Sequence, residues 1–105
     1  MRPPLIQAID DPYLVAWCRH DPLSGNRVLV VVNMQPNEPR KARLMLDRRT
    51  LGLEAVEWLT AHDLLDETEQ AWPIDAITIT CTPEEPVRVF RLEPQAITPP
   101  EAESA

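Results

Sequence analysis

Residues 28–34 read VLVVVNM, five apolar residues in a row, four of them β-branched, and then an asparagine. A helix tolerates that density of β-branching poorly, because each such side chain loses χ1 freedom against the preceding turn. A strand accommodates it well. A half-buried strand alternates apolar and polar residues, whereas this one is apolar on both sides. It therefore reads as a central strand with one face in the core and a second face that needs a cover. The expected parity puts Val28, Val30 and Val32 in the core and turns Leu29 and Val31 outward, beside Trp17. A neighbouring loop, a second copy of the chain or a separate domain are the candidate covers.

Working outward, twelve prolines and two glycines cut the chain into short pieces. PYLVAWCR (12–19) reads as a strand and DPLSGN (21–26) as a turn built from residues with turn chemistry. QPNEPR (35–40) is a loop that its prolines exclude from sheet pairing. KARLMLD (41–47) is a strand with Ala42, Leu44 and Leu46 on one face. RRTLGL (48–53) reads as a short helical turn closed by Gly52. Further strands are expected at 56–63, 68–72, 75–81 and 87–92. DAITITC (75–81) alternates cleanly, with Ile77, Ile79 and Cys81 inward and Thr78 and Thr80 outward. Seven to eight short strands with Pro-rich turns predict an all-β, antiparallel β-sandwich of Greek-key type. Residues 1–11 read as an N-terminal linker, 12–93 as the sandwich domain and 94–105 as a disordered, acidic, Pro-rich tail.

A chain of 105 residues fits one domain and has no room for a barrel enzyme of roughly 250 residues. Its net charge of −7 argues against a phosphate-backbone partner, so no nucleic acid is expected. The basic residues Arg40, Lys41, Arg43, Arg48 and Arg49 read as a solvated face. Nothing approaches the roughly 18 apolar residues of a membrane span, so no membrane partner is expected. Cys18 and Cys81 each lie in an apolar run and read as buried free thiols. With no recognisable leader at the N-terminus, the chain reads as cytoplasmic.

The search for chemistry returns little. His62 and Asp63 are adjacent on an expected strand, so they point to opposite faces and do not form a dyad. Asp63 reads as the cap of the following turn, and His20 as a turn residue. Two distant histidines and two distant cysteines lack zinc-ligand spacing. No Gly-rich phosphate loop or nucleophile elbow is present. The paired acids at 66–69 and 84–85 lie in turns, where carboxylates stay solvated rather than acquiring the raised pKa of a glycosidase acid. No catalytic residue, metal ligand or cofactor is assigned. Tyr13, Trp17, Trp58 and Trp72 are the candidate contact residues. Their rings either pack in the core or against another domain, or stack on a sugar face.

The order of these pieces carries a resemblance. YLVAWCRHDPLSGNRVLVVVNMQP, LDRRTLGL, HDLLDETEQAW and PEEPVRVFRL together resemble the C-terminal β-domain of the α-amylase superfamily (glycoside hydrolase family 13). The resemblance is strongest to the α-1,4-glucan:maltose-1-phosphate maltosyltransferases. It spans Tyr13 to Leu92. The family's hairpin carries Thr-Gly after HDLL, where this chain has Asp66-Glu67, so a different turn geometry is expected. The family's catalytic residues lie in a barrel that has no counterpart here. The resemblance therefore implies a non-catalytic accessory domain that packs against and stabilises a catalytic barrel, with a maltosyltransferase as parent and trehalose synthase as the alternative parent. Two further readings are a free-standing α-glucan-binding module and a small self-associating interaction protein, whose partners would be an α-glucan and a second copy in a homodimer.

Overall fold

The hairpin at DPLSGN sets the register of the sheet. Asp21 accepts hydrogen bonds from the Leu23 amide (3.0 Å) and the Ser24 hydroxyl (2.8 Å), and Gly25 takes the left-handed φ of 79° that the tight return requires. The strands that leave it pair Trp17 with Val30 and Cys18 with Leu29. The computed structural model describes residues 5–95. It contains eight strands: β1 (Leu5–Ile9), β2 (Leu14–Asp21), β3 (Asn26–Asn33), β4 (Arg40–Met45), β5 (Trp58–Asp63), β6 (Glu69–Pro73), β7 (Ile77–Cys81) and β8 (Val87–Gln95). All pair antiparallel, in the order β6-β5-β8-β3-β2-β1-β4-β7. Within it, β1 to β3 follow as hairpins and β4 returns beside β1, which is a Greek key. The all-β antiparallel expectation is met.

One boundary is corrected. Residues 5–9 were expected in a linker, yet LIQAI is β1. Its first half pairs with β2 (Leu5 to Cys18, Gln7 to Ala16) and its second with β4 (Ala8 to Met45, Ile9 to Leu44). Gln7 is buried at this corner. Its amide donates to the Leu5 carbonyl (3.0 Å), and its side-chain oxygen accepts the Asp47 amide (2.7 Å). At the other end, β8 runs on to Gln95, two residues past the expected edge of the domain. The expected tail from residue 96 onward lies outside the described residues.

A second correction concerns the opening strand. Leu29 and Val31 are fully buried, while Val28, Val30 and Val32 are half-buried on the outer face. Register makes this unavoidable. Leu29 lies between Cys18 and Phe90, and Val31 faces Ala16, all inward-facing positions. The inward row of β3 ends in two polar residues that find partners inside. Arg27 donates from Nε to the Leu51 carbonyl (2.6 Å). Asn33 donates to the Glu38 carbonyl (2.9 Å) and accepts the Gln35 amide (2.9 Å).

The core is one cluster drawn from both parts of the sheet, including Leu14, Leu29, Val31, Leu44, Leu59, Ile77, Ile79, Phe90 and Leu92. Leu51 and Leu53 plug it from the 48–53 turn, which closes as expected. The Leu53 amide reaches the Arg48 carbonyl (2.7 Å), the Gly52 amide reaches the Arg49 carbonyl (3.2 Å), and Gly52 has φ 69°. Those paired bonds are a Schellman closure, which satisfies carbonyls that a single helical turn leaves bare. Strand β7 alternates as expected, with Ile77, Ile79 and Cys81 buried and Thr78 and Thr80 exposed.

Ile79→Ala should therefore cost about 2–5 kcal/mol in urea unfolding, while Thr78→Ala stays within about 0.5 kcal/mol. Leu29→Lys, which forces a charge into the core, should abolish cooperative unfolding altogether. Equal effects at Ile79 and Thr78 would contradict the register.

Candidate functional site

The densest polar chemistry lies where β5 ends and β8 begins. Asp63 has a fully buried side chain on the inner face of β5, opposite Phe90. Its Oδ1 accepts the Leu65 amide (2.9 Å) and the Asp66 amide (3.2 Å). Its Oδ2 accepts Arg88 Nη2 at 2.7 Å. Arg88 also donates through Nη1 to the Thr80 carbonyl on β7 (2.7 Å), and its Nε lies 3.9 Å from Glu85. The guanidinium thus ties the β5 turn to the opposite side of the core. Burial is the largest single influence on Asp63 and pushes its carboxyl up. The Arg88 hydrogen bond, the Leu65 and Asp66 amides and the charge of Arg88 together outweigh it, so the carboxyl sits below the usual aspartate range.

Asp63, Asp66 and Glu85 bring carboxylate oxygens within 4.8 Å of one another, a grouping that the separate sequence positions did not announce. Arg88 supplies the positive charge this group needs, and both oxygens of Asp63 are engaged.

The expected capping role of Asp63 and the opposite orientation of His62 are both present. His62 is half-buried on the outer face, with Nδ1 3.0 Å from Glu69 and Nε2 3.1 Å from Glu93. Arg91 adds an ion pair to the same Glu93. Cys18 and Cys81 are free and fully buried. Burial pushes the Cys18 thiol up to about 11 against the opposing charge of Arg27, and raises Cys81 as well. Neither is a reactive thiolate.

The four aromatic candidates are dispersed. Trp72 is a core residue, edge-on to Phe90 with ring centroids 4.7 Å apart, so it presents no face to a sugar. Tyr13 is exposed beneath the Arg40 guanidinium, which lies 4.3 Å from the ring centre. Trp17 is half-buried on the outer face of β2, between Ile6 and Val30. Trp58 is half-buried on β5, with β8 and β3 lying between it and β2.

Glu67 holds a left-handed φ of 61°, with its amide bonded to the Asp63 carbonyl (2.9 Å). A side chain thus occupies a backbone conformation that glycine adopts more readily. The Asp63 carboxylate compensates by capping the amides of the same turn.

Taken together, these features define a small antiparallel β-domain whose buried polar groups serve structure. The comparisons with known proteins give that class a family. The family model described as GLGE, C-terminal, matches residues 6–92. The chain is 34% identical over 83 residues to the α-1,4-glucan:maltose-1-phosphate maltosyltransferase of Salinibacter ruber, covering 79% of this chain and 12% of that protein. It is 36% identical over 63 residues to the enzyme of the same name from Corynebacterium glutamicum, covering 60% of this chain and 9% of the relative. The Mycolicibacterium smegmatis enzyme is 34% identical over 64 residues, covering 61% and 9%. This chain belongs to the family of maltosyltransferase C-terminal domains. It spans about a tenth of the length of the curated relatives it matches.

Two outcomes follow from the geometry. Because the folded-state pKa of Asp63 is depressed, its contribution to stability is present above about pH 4 and is lost as pH falls through the lower folded value. Asp63→Asn should cost about 3 kcal/mol at neutral pH, and the mutant's stability should fall less steeply below pH 4 than that of wild type. Urea titrations across pH 2–7 read both. Glu67→Gly should raise stability by about 0.5–1 kcal/mol by relieving the left-handed strain. A loss of stability there would show that the Glu67 side chain does more than tolerate its backbone.

Proposed function

We propose that the chain is the non-catalytic accessory C-terminal domain of an α-amylase-superfamily glucan enzyme, a maltosyltransferase that uses maltose 1-phosphate in α-glucan metabolism. Its task is to pack against the catalytic barrel and stabilise it. The observation that carries this reading is the family match over residues 6–92, a segment that in the named relatives is about a tenth of the enzyme. The site geometry agrees with it. The enclosed carboxylate, Asp63, is committed to Arg88 and two backbone amides, which leaves it neither a raised pKa nor room to protonate a leaving group. Two buried, unpaired cysteines suit a reducing compartment, and we place the protein in the cytoplasm. No helix among the described residues is long and apolar enough to cross a membrane.

The test is a chimera in which residues 6–92 replace the matching segment of the Salinibacter ruber enzyme, compared with that enzyme truncated before the segment. The chimera should melt above the truncated form and retain maltosyl transfer, and the purified chain alone should turn over no maltose 1-phosphate. Turnover by the chain alone would refute the accessory role. So would a chimera no more stable than the truncated form, together with maltoheptaose binding by the isolated chain. That pair of results would mark a glucan-binding module.

A further inference from the structure

The outer face of β1, β2, β3 and β8 carries two neighbouring apolar rows, bordered by a row in which Arg19 and Arg91 flank Val28. Register aligns Ile6, Trp17, Val30 and Val89 in one continuous row, and Val15, Val32 and Val87 in the next. Ile6 is 73% exposed, Val87 is exposed, and the others are half-buried. With strands about 4.8 Å apart, the two rows make an apolar patch on the order of a few hundred Å². Elsewhere the outward positions are mixed: Lys41, Arg43 and Met45 on β4, Thr78 and Thr80 on β7, Trp58, Thr60 and His62 on β5, and Glu69 and Ala71 on β6. At its hairpin end the patch runs into an open depression of about 910 Å³. Arg19, Val28 and the turn residues Pro22 and Leu23 line it, with Leu23 98% exposed at the tip.

We infer that this face, from Ile6 to Val89 with the hairpin depression at its end, is the surface on which the domain seats against the preceding part of its parent polypeptide. The inference rests on the accessory-domain reading and gives it a location. Two observations select that occupant. The relatives carry some nine-tenths of their length outside the matched segment, so a large covering surface exists in the family. Moreover, the matching family model is described as C-terminal, so in the family that length lies ahead of the segment. A second copy is the weaker occupant, because each chain brings a net charge of −7 to the encounter.

Thiol labelling tests this directly, since Cys18 and Cys81 are fully buried and silent. Ile6→Cys and Val87→Cys place probes at two corners of the patch, and Thr78→Cys serves as a control on β7. In the isolated chain all three should react with a maleimide. In the Salinibacter chimera the two patch probes should slow by about tenfold or more, because labelling then requires the interface to open, while Thr78→Cys keeps its rate. A stable, active chimera with patch probes still fast, or with Thr78→Cys protected instead, overturns the location and leaves the accessory role standing. Concentration-dependent protection of the patch probes in the isolated chain, with a dimer in sedimentation, assigns the face to a second copy and overturns the inference.

Discussion

Five residues hold the two parts of the sheet together. Leu5–Gln7 bond to β2 and Ala8–Ile9 bond to β4, so β1 belongs to the six-strand layer and to the smaller layer that faces it. Every inward residue depends on that sharing. It lets Ala42, Leu44, Ile77 and Ile79 close over Leu29, Val31 and Phe90 in a single core. Buried Gln7 secures the change of partner by satisfying the Leu5 carbonyl on one side and the Asp47 amide on the other. A corner strand without such a residue would leave backbone groups unpaired in a dry place, at a cost of several kcal/mol.

The sequence announces most strands and hides this one. LIQAI carries a glutamine at its central inward position, so its alternation reads as broken, and prolines precede it. The parity of β3 was misread for a related reason. Its inward row is Arg27, Leu29, Val31 and Asn33, polar at both ends, while the outward row carries three valines, Val28, Val30 and Val32, after Asn26. Hydrophobicity alone selects the wrong face. The partner strand held the correct answer: small inward residues Ala16 and Cys18 and a short hairpin at 21–26 fix Leu29 opposite Cys18. Where polar ends were not in play, as in the Ile-Thr alternation of β7, parity was legible at once.

The site divides along the same line. Local relations were readable: Asp63 caps the turn that follows it, and His62 points away from it. The long-range partner was not, because nothing local tells Asp63 that Arg88, 25 residues later, will lie 2.7 Å away. The available hint was an arginine at an inward position of VRVFRL, since a charged residue there demands an opposite charge. The aromatic residues were grouped by type, but type carries no position. Strand order scatters them between the core and two separate parts of the outer face.

Among the described residues the sheet does not close, and β6 and β7 have no strand partner on their outer edges. Such edges are templates on which a stray strand can add, the first step toward aggregation. Strand β6 is five residues long, begins with Glu69 and ends at Pro73, which has no amide to offer. On β7, Thr82 exchanges backbone bonds with Glu85, so Thr80, two residues earlier, turns its carbonyl in the same direction, away from β4. Arg88 takes that carbonyl. The side chain that neutralises Asp63 inside is also a gatekeeper outside, occupying an acceptor that an intruding strand would need.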